Sequence, residues 1–348
     1  MGQKKYYISR NYRSLFNAAG KAKTDCEHVL QNLGFKNLGF KQSSIPKSAI
    51  GTIKNAFGIT FALLKLPFGA TLCTQYPNSK FRNYIMFFAR LKHCKIITLV
   101  HDIKSLQGTS IEVQNELKNI RSHAIIVHNT IMKSWFEKQG VDYPIIVLGI
   151  FDYLSNETPV QNNETQFGKT IVYAGGFGSD KNSFIYDVDL IENKDFELKL
   201  YGVGFNTEKI KIEKNVSVLN YVGSFPSYEI AHKIEGNFGL VWDGQETKTC
   251  SGQYGTYLKY NNPHKTSLYL LSGLPVIVWN EAAIANFILE NNVGFVVSDL
   301  NDLSDQLSQV TAKDYLLMKR NVAKVQNKIA SGSYYEEAIT TALTSVNS

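Results

Sequence analysis

Short apolar runs rich in Val, Ile and Leu recur along this chain, separated by longer stretches in which apolar residues return every three or four positions. Runs of this kind with no polar alternation read as strands covered on both faces, and the stretches between them as amphipathic helices. Strands are expected at residues 5–9, 71–75, 95–100, 124–127 and 145–148, then at 170–174, 197–201, 216–219, 238–242, 275–279 and 294–297. Strands alternating with helices make parallel sheets covered by helices, so the fold class is α/β. Between the two sets lies NETPVQNNETQFGK, within a polar, aperiodic segment at 152–169 that reads as a linker. The expected organisation is a first domain over 1–152, a second over 153–312, and C-terminal helices over 313–348 that cross back to the first. The most apolar window, 56–73, is interrupted by Lys65 and Pro67. It is too short to span a bilayer and reads as a core helix with an exposed apolar face.

Composition adds little until the chain is halved. With 348 residues and 44% hydrophobic positions there is material for two cores. Cys26, Cys73, Cys94 and Cys250 are widely spaced, with no CxxC pair and no zinc-site spacing, which fits a reducing cytoplasm. The N-terminal MGQKKYYISRNYR has no apolar secretion core. The net charge of +7 conceals opposite halves: residues 1–150 hold 21 Lys and Arg against 7 Asp and Glu, and the remainder is acidic. A basic half suits an anionic membrane surface or an anionic lipid-linked substrate. Nucleic acid is not expected as a partner, because no zinc finger, RRM signature or comparable motif accompanies the charge. Scattered solubilising lysines are the plainer alternative.

The densest chemistry lies in KYNNPHKTSLYLLSGLPVIVW, residues 259–279. Proline favours a first helical position, so a helix should begin near Pro263, with Asn261 and Asn262 able to cap it. His264, Lys265, Thr266 and Ser267 then fall in the first turn, where backbone N–H groups, the helix dipole, an ammonium and two hydroxyls can converge on a diphosphate. The alternative is an ordinary αβ unit in which Lys265 is merely solvated.

Other loops at carboxyl ends of strands carry glycine and polar groups, where open α/β sheets bind ligands. GGFGSDKNSF places Gly175 and Gly176 for close backbone approach and Lys181 within reach of a phosphate. Its spacing matches neither a Walker loop nor the dinucleotide fingerprint. NYVGSFP sets Tyr221 and Gly223 where a ring can cover a base, and the long segment 242–265 carries Asp243 as an acceptor for sugar hydroxyls. Simple turn chemistry accounts equally well for paired glycines. In the first half, the strand at 95–100 ends in His101 and Asp102. Asp102 is the candidate base for a sugar hydroxyl, with His101 beside it, while the lysines stabilise departing phosphates. A capping Asp beside a packed His is the structural alternative, and His128-Asn129 reads as a helix cap. Asp187 and Asp189 match a DxD metal motif in form only, so no metal is expected.

The blocks VHDIKSLQG (100–108), IFDYL (150–154), VYAGGFGSDKNSFIY (172–186), FGLVWDG (238–244) and CSGQYGTYLKYNNPHKTSLYLLSGLPVIVW (250–279) resemble the bacterial β-1,6-galactofuranosyltransferase family of O-antigen assembly. AGKAKTD (19–25) also matches that group, which includes the accessory glucosyltransferases that extend glycans on serine-rich adhesins. The resemblance implies a GT-B fold, in which two Rossmann-like domains have parallel sheets facing an interdomain cleft. It implies a UDP-sugar donor with phosphates near Asn262, His264, Lys265 and the glycine loop, and no metal or other cofactor. In one departure, Ser179 and Asp180 precede Lys181 where relatives tend to carry an Arg.

The reading is therefore an inverting galactofuranosyltransferase acting from UDP-galactofuranose on a lipid-linked polysaccharide intermediate at the cytoplasmic membrane face. The alternatives are a UDP-glucose-dependent enzyme with a glycoprotein or glycolipid acceptor, and a non-catalytic nucleotide-sugar-binding partner of a glycosylation complex. Homo-oligomerisation stays open.

Overall fold

The computed structural model describes residues 4–9, 18–39, 49–77, 81–155, 166–211 and 217–348. The chain forms two compact units, Met1–Asp152 with Gly332–Ser348, and Tyr153–Ser331.

In the first unit the strands are β1 (Lys5–Tyr7), β2 (Lys36–Asn37), β3 (Thr71–Tyr76), β4 (Lys95–Val100), β5 (Ala124–Val127) and β6 (Ile145–Val147). They pair in parallel in the order β2-β1-β3-β4-β5-β6. The helices are α1 (Ala18–Asn32), α2 (Ala49–Lys65), α3 (Arg82–Leu91), α4 (Val113–Ile120), α5 (Thr130–Lys138) and, from the far end of the chain, α11 (Ser333–Ser345). Every residue of β5 is buried, which is why its sequence AIIV shows no polar alternation. Ile59, Leu63 and Leu66 of the α2 region pack with Leu72, Ile85, Met86 and Ile96 in one apolar cluster. Asn129 caps α5 by accepting the Met132 N–H at 2.8 Å, as its position after β5 leads one to expect.

The second unit has β7 (Thr170–Ala174), β8 (Glu197–Tyr201), β9 (Leu219–Gly223), β10 (Phe238–Val241), β11 (Val276–Trp279) and β12 (Gly294–Val297), in the order β12-β11-β10-β7-β8-β9. Its helices are α6 (Gly252–Tyr257), α7 (His264–Leu271), α8 (Ala285–Glu290), α9 (Leu303–Gln309) and α10 (Ala312–Ser331). All its strand pairs are parallel too.

Four details differ from the sequence reading. The strand expected at 216–219 lies further on as β9, paired to β8 with a bulge at Leu200 and Tyr201, and Val216 falls outside the described residues. Much of the expected linker, 156–165, also falls outside them, whereas Asp152 is buried and accepts the N–H groups of Tyr334 and Tyr335 at the start of α11. The segment 242–265, read as one long loop, contains α6. Helix α10 belongs to the second unit, where it packs on α7, so the chain returns to the first unit only at Gly332.

Candidate functional site

Helix α7 is fixed from three sides. At its carboxyl end, Gln326 of α10 donates to the Leu271 carbonyl at 2.6 Å and Lys319 donates to that of Gly273 at 2.7 Å, satisfying acceptors that a helix end leaves open. On its inner face the Tyr269 ring lies against Gly239 of β10, where a Cβ would stand 2.2 Å from the ring. The Tyr269 hydroxyl accepts the Ala174 N–H at 2.7 Å, which ties the helix to the end of β7. The amino end begins one residue later than the sequence suggested. Pro263, with an extended ψ of 133°, is the cap residue and offers no side-chain bond, and His264 opens the helix. Pro263 thus holds the cap position that Asn261 and Asn262 were expected to serve, and Asn261 Oδ1 is buried without a hydrogen-bond partner among the described residues.

Lys265 and Lys181 meet at Asp243. The Lys265 ammonium is 2.8 Å from Asp243 Oδ1, and Lys181 is 3.3 Å from Oδ2. The Asp243 side chain is only 2% exposed and that of Lys265 11%, whereas Lys181 is 38% exposed. Lys265 also donates to the Tyr173 hydroxyl at 2.9 Å. Burial depresses the Lys265 pKa, Asp243 opposes that fall, and Lys181 reinforces it. Tyr173 in turn donates to Asn182 Oδ1 at 2.5 Å, and Asn182 Nδ2 donates to the Gly176 carbonyl at 2.6 Å. One network thus joins the α7 lysine, the aspartate after β10 and the glycine loop after β7. Gly175 donates to the Tyr201 carbonyl at 2.9 Å, and Gly202, at φ +148°, lies so close that a Cβ there would fall 1.7 Å from the Gly175 oxygen.

The expected residues divide accordingly. Lys265, Lys181, Asp243, Gly175 and Gly176 come together. Asp243, read as an acceptor for sugar hydroxyls, instead turns both oxygens to lysines. Thr266 and Ser267 are fully buried, so their hydroxyls face the protein; Thr266 Oγ1 has no hydrogen-bond partner among the described residues. Half-buried His264 stacks on Tyr153 with centroids 4.8 Å apart. Tyr221 and Gly223 lie in β9 rather than in a loop. The Tyr221 ring stacks on Phe205 at 5.1 Å, Phe205 stacks on Tyr186 at 5.7 Å, and the Tyr221 hydroxyl donates to the Gly202 carbonyl at 2.8 Å.

In the first unit, buried His101 stacks on Phe151 with an interplanar angle of 7° and bonds Gln75 at 2.6 Å through Nε2. Asp102 is half-buried and accepts from Gln107 at 2.9 Å. The loop carrying them is held by a residue the sequence did not single out. Glu116 of α4, fully buried, accepts the N–H groups of Lys104 and Ser105 at 2.8 and 2.7 Å and the Tyr76 hydroxyl at 2.6 Å. Asn182 and Tyr173 were likewise missed, since nothing local marks a buried Asn or Tyr as a tether. The DxD aspartates have separate partners: Asp187 pairs with Lys211 at 3.0 Å, and buried Asp189 accepts from Ser217 and the Val218 N–H. Among the described residues no three His, Cys, Asp or Glu side chains converge as a metal site.

Two units with parallel six-stranded sheets covered by helices give the GT-B fold of glycosyltransferases. The chain belongs to the glucosyltransferase 3-like family: residues 5–150 match the description "Glucosyltransferase 3-like, N-terminal domain" and residues 171–342 match "Glucosyltransferase 3-like, C-terminal domain". It is 30% identical over 338 residues, 96% of this chain and 97% of the relative, to the β-1,6-galactofuranosyltransferase WbbI of Escherichia coli (strain K12). It is 24% identical to Glucosyltransferase 3 of Streptococcus gordonii over 97% of this chain and 98% of that protein. Among solved structures, AviGT4, a glycosyltransferase involved in avilamycin A biosynthesis, superposes with a TM-score of 0.58 at 12% identity, covering 96% of this chain and 97% of its own.

Proposed function

We propose that the chain is an inverting glycosyltransferase that transfers galactofuranose from UDP-galactofuranose to a sugar hydroxyl of a lipid-linked polysaccharide intermediate at the inner face of the cell membrane. The observation that carries the donor half is the convergence of Lys265 and Lys181 on one carboxylate beside the amino end of α7. Two ammonium groups and a helix start form an electrostatic cradle for a diphosphate, before reaction and as the leaving group gains charge. In this reading the lysines serve where a metal otherwise would. The aromatic stack of Tyr221, Phe205 and Tyr186 offers a face to a base. Asp102, held by Gln107 on a loop anchored through Glu116, is the base. The acceptor hydroxyl gives its proton to Asp102, its oxygen bonds to the anomeric carbon, and the bond from that carbon to the phosphate oxygen breaks, releasing UDP with inversion.

The 30% identity to a galactofuranosyltransferase supports the donor sugar; the relationship to Glucosyltransferase 3 supports UDP-glucose as the second reading. The test has two parts. Calorimetry should show UDP binding weakened at least about tenfold in Lys265→Ala and in the more exposed Lys181→Met, the loss of one charge-assisted hydrogen bond in each case. Unchanged affinity in both would remove the lysines from the donor site. Incubation with each UDP-sugar and a synthetic acceptor then separates the donors, and turnover of UDP-glucose alone would refute the galactofuranose assignment.

A further inference from the structure

The first unit carries a feature that UDP-sugar chemistry does not use. On α2, Ile53, Phe57, Phe61 and Leu64 are all exposed, at spacings of four, four and three that set them on one helix face. Phe68 follows the helix and is exposed too; Phe57, Leu64 and Phe68 are 71%, 71% and 72% exposed. Helix α3 lies beside α2, the Thr60 and Tyr84 hydroxyls meeting at 3.2 Å, and adds Tyr84, Phe87 and Leu91 from one of its own faces. A core-facing helix hides such residues, and here the opposite faces, through Ile59, Leu63, Ile85 and Met86, already do so. Two adjacent helices thus present an apolar surface outward.

The charge along this part of the sequence has one sign. From His28 to His101 the sequence contains ten Lys and Arg and not a single Asp or Glu. Lys65 lies over the Phe61 ring at 4.2 Å. Lys92 donates to the Leu63 and Leu66 carbonyls, both at 2.7 Å, and so closes the carboxyl end of α2. Beside Phe87 and Leu91, an open cavity of about 280 Å³ is also lined by Arg90 and Lys118. A second copy meeting this face with its own α2–α3 face would set like charges against like. An anionic bilayer instead supplies phosphates for the cations and an acyl boundary for the rings, the two halves that an interfacial amphipathic helix requires. Among the described residues no helix is long and apolar enough to cross a membrane.

We propose that the α2–α3 face is the surface by which this protein docks on an anionic membrane. Phe57, Leu64, Phe68, Phe87 and Leu91 enter the headgroup boundary, while Lys65, Arg90 and Lys118 contact lipid phosphates. This rests on the proposed lipid-linked acceptor and adds how the enzyme reaches it.

The test is co-sedimentation of the full chain with vesicles containing about one-third phosphatidylglycerol in phosphatidylcholine, with pure phosphatidylcholine as the second probe. The natural protein should bind the anionic vesicles and much less the neutral ones, with binding falling as salt rises. Phe57→Ser/Leu64→Ser/Phe68→Ser should weaken vesicle binding at least about tenfold, as should Lys65→Glu/Lys118→Glu. UDP affinity measured without vesicles should stay unchanged in both variants, so a failed donor site and a failed docking surface show in different measurements. Equal vesicle binding by the natural and triple-serine proteins would overturn the proposal, as would no binding by either. A dimer in analytical ultracentrifugation that the triple variant dissolves, without vesicle binding, would assign the face to a second copy and overturn it too.

Discussion

Replacing Asp243 by Asn keeps the shape of the side chain and removes the one charge that faces both lysines. Lys265 then retains an ammonium that is only 11% exposed, with Lys181 nearby as a like charge. Stranding one partner of a buried ion pair costs about 3–5 kcal/mol, and a partner as solvated as Lys181 contributes about 0–1 kcal/mol. Asp243→Asn should therefore destabilise the protein by about 3 kcal/mol at neutral pH. Lys265→Met should cost up to a similar amount, because it leaves the buried carboxylate with only the solvated Lys181 as a charged partner. The double variant Asp243→Asn/Lys265→Met loses both charges together and should recover about 2–3 kcal/mol of the summed single losses. The Asn variant should also have a distinct pH response. Burial already lowers the Lys265 pKa and Asp243 opposes that shift, so without Asp243 it falls further. A base whose folded pKa is depressed costs stability progressively as pH falls below its unfolded pKa and in full below the folded one, so the deficit of Asp243→Asn should shrink as pH rises toward the ordinary lysine value. Urea unfolding of the four proteins across pH measures all of this. Single losses that add to within about 0.5 kcal/mol in the double variant would refute the coupling.

Three further outcomes follow from other parts of the molecule. Asp102→Asn should keep UDP affinity while lowering turnover at least about 100-fold, and unaltered turnover would remove Asp102 from the reaction. Burial lifts the Asp152 carboxyl from a usual 3.8 to about 7, against the lowering effect of its bonds from Tyr335 and Tyr334. Its contribution is full below 3.8 and lost as pH rises through about 7, on the order of 4 kcal/mol when complete, so denaturation should show Asp152→Asn gaining on the natural protein between those values; parallel pH curves would refute it. Gly202→Ala forces a Cβ to 1.7 Å from the Gly175 oxygen and should cost at least about 2 kcal/mol in unfolding measurements, with a loss under half of that counting against the tight loop packing.

The two sheets were legible because their strands are buried on both faces, leaving runs such as KIITLV and AIIV with no other sensible home. β9 was harder to place because it is an edge strand whose residues Asn220, Tyr221 and Val222 are exposed, so its apolar pattern is weak and its turn-like sequence reads as a loop. Helix α6, GQYGTY, has two glycines in six residues and no period to detect. The lysines at the site could be anticipated from the proline before α7 and the glycines after β7. Their shared partner could not: Asp243 read as an acceptor for sugar hydroxyls, and only the fold brings residues 181, 243 and 265 together. Glu116 was hidden for the same reason, since an acid on a short amphipathic helix reads as solvated surface while its carboxylate is buried under backbone N–H groups.

The return of α11 has a consequence for how the protein is made. The helix buries Tyr335, Ala338, Ile339 and Ala342, sets the Tyr335 hydroxyl 3.3 Å from Cys73 Sγ, and packs against α1, β5 and β6. Those surfaces are synthesised within the first 152 residues but receive their cover only when residues after Gly332 have left the ribosome. The first unit to emerge is thus the last to be finished. A nascent chain must carry an open core through the whole synthesis of the second unit, and a chain that stops before Gly332 keeps that core on display to proteases and chaperones.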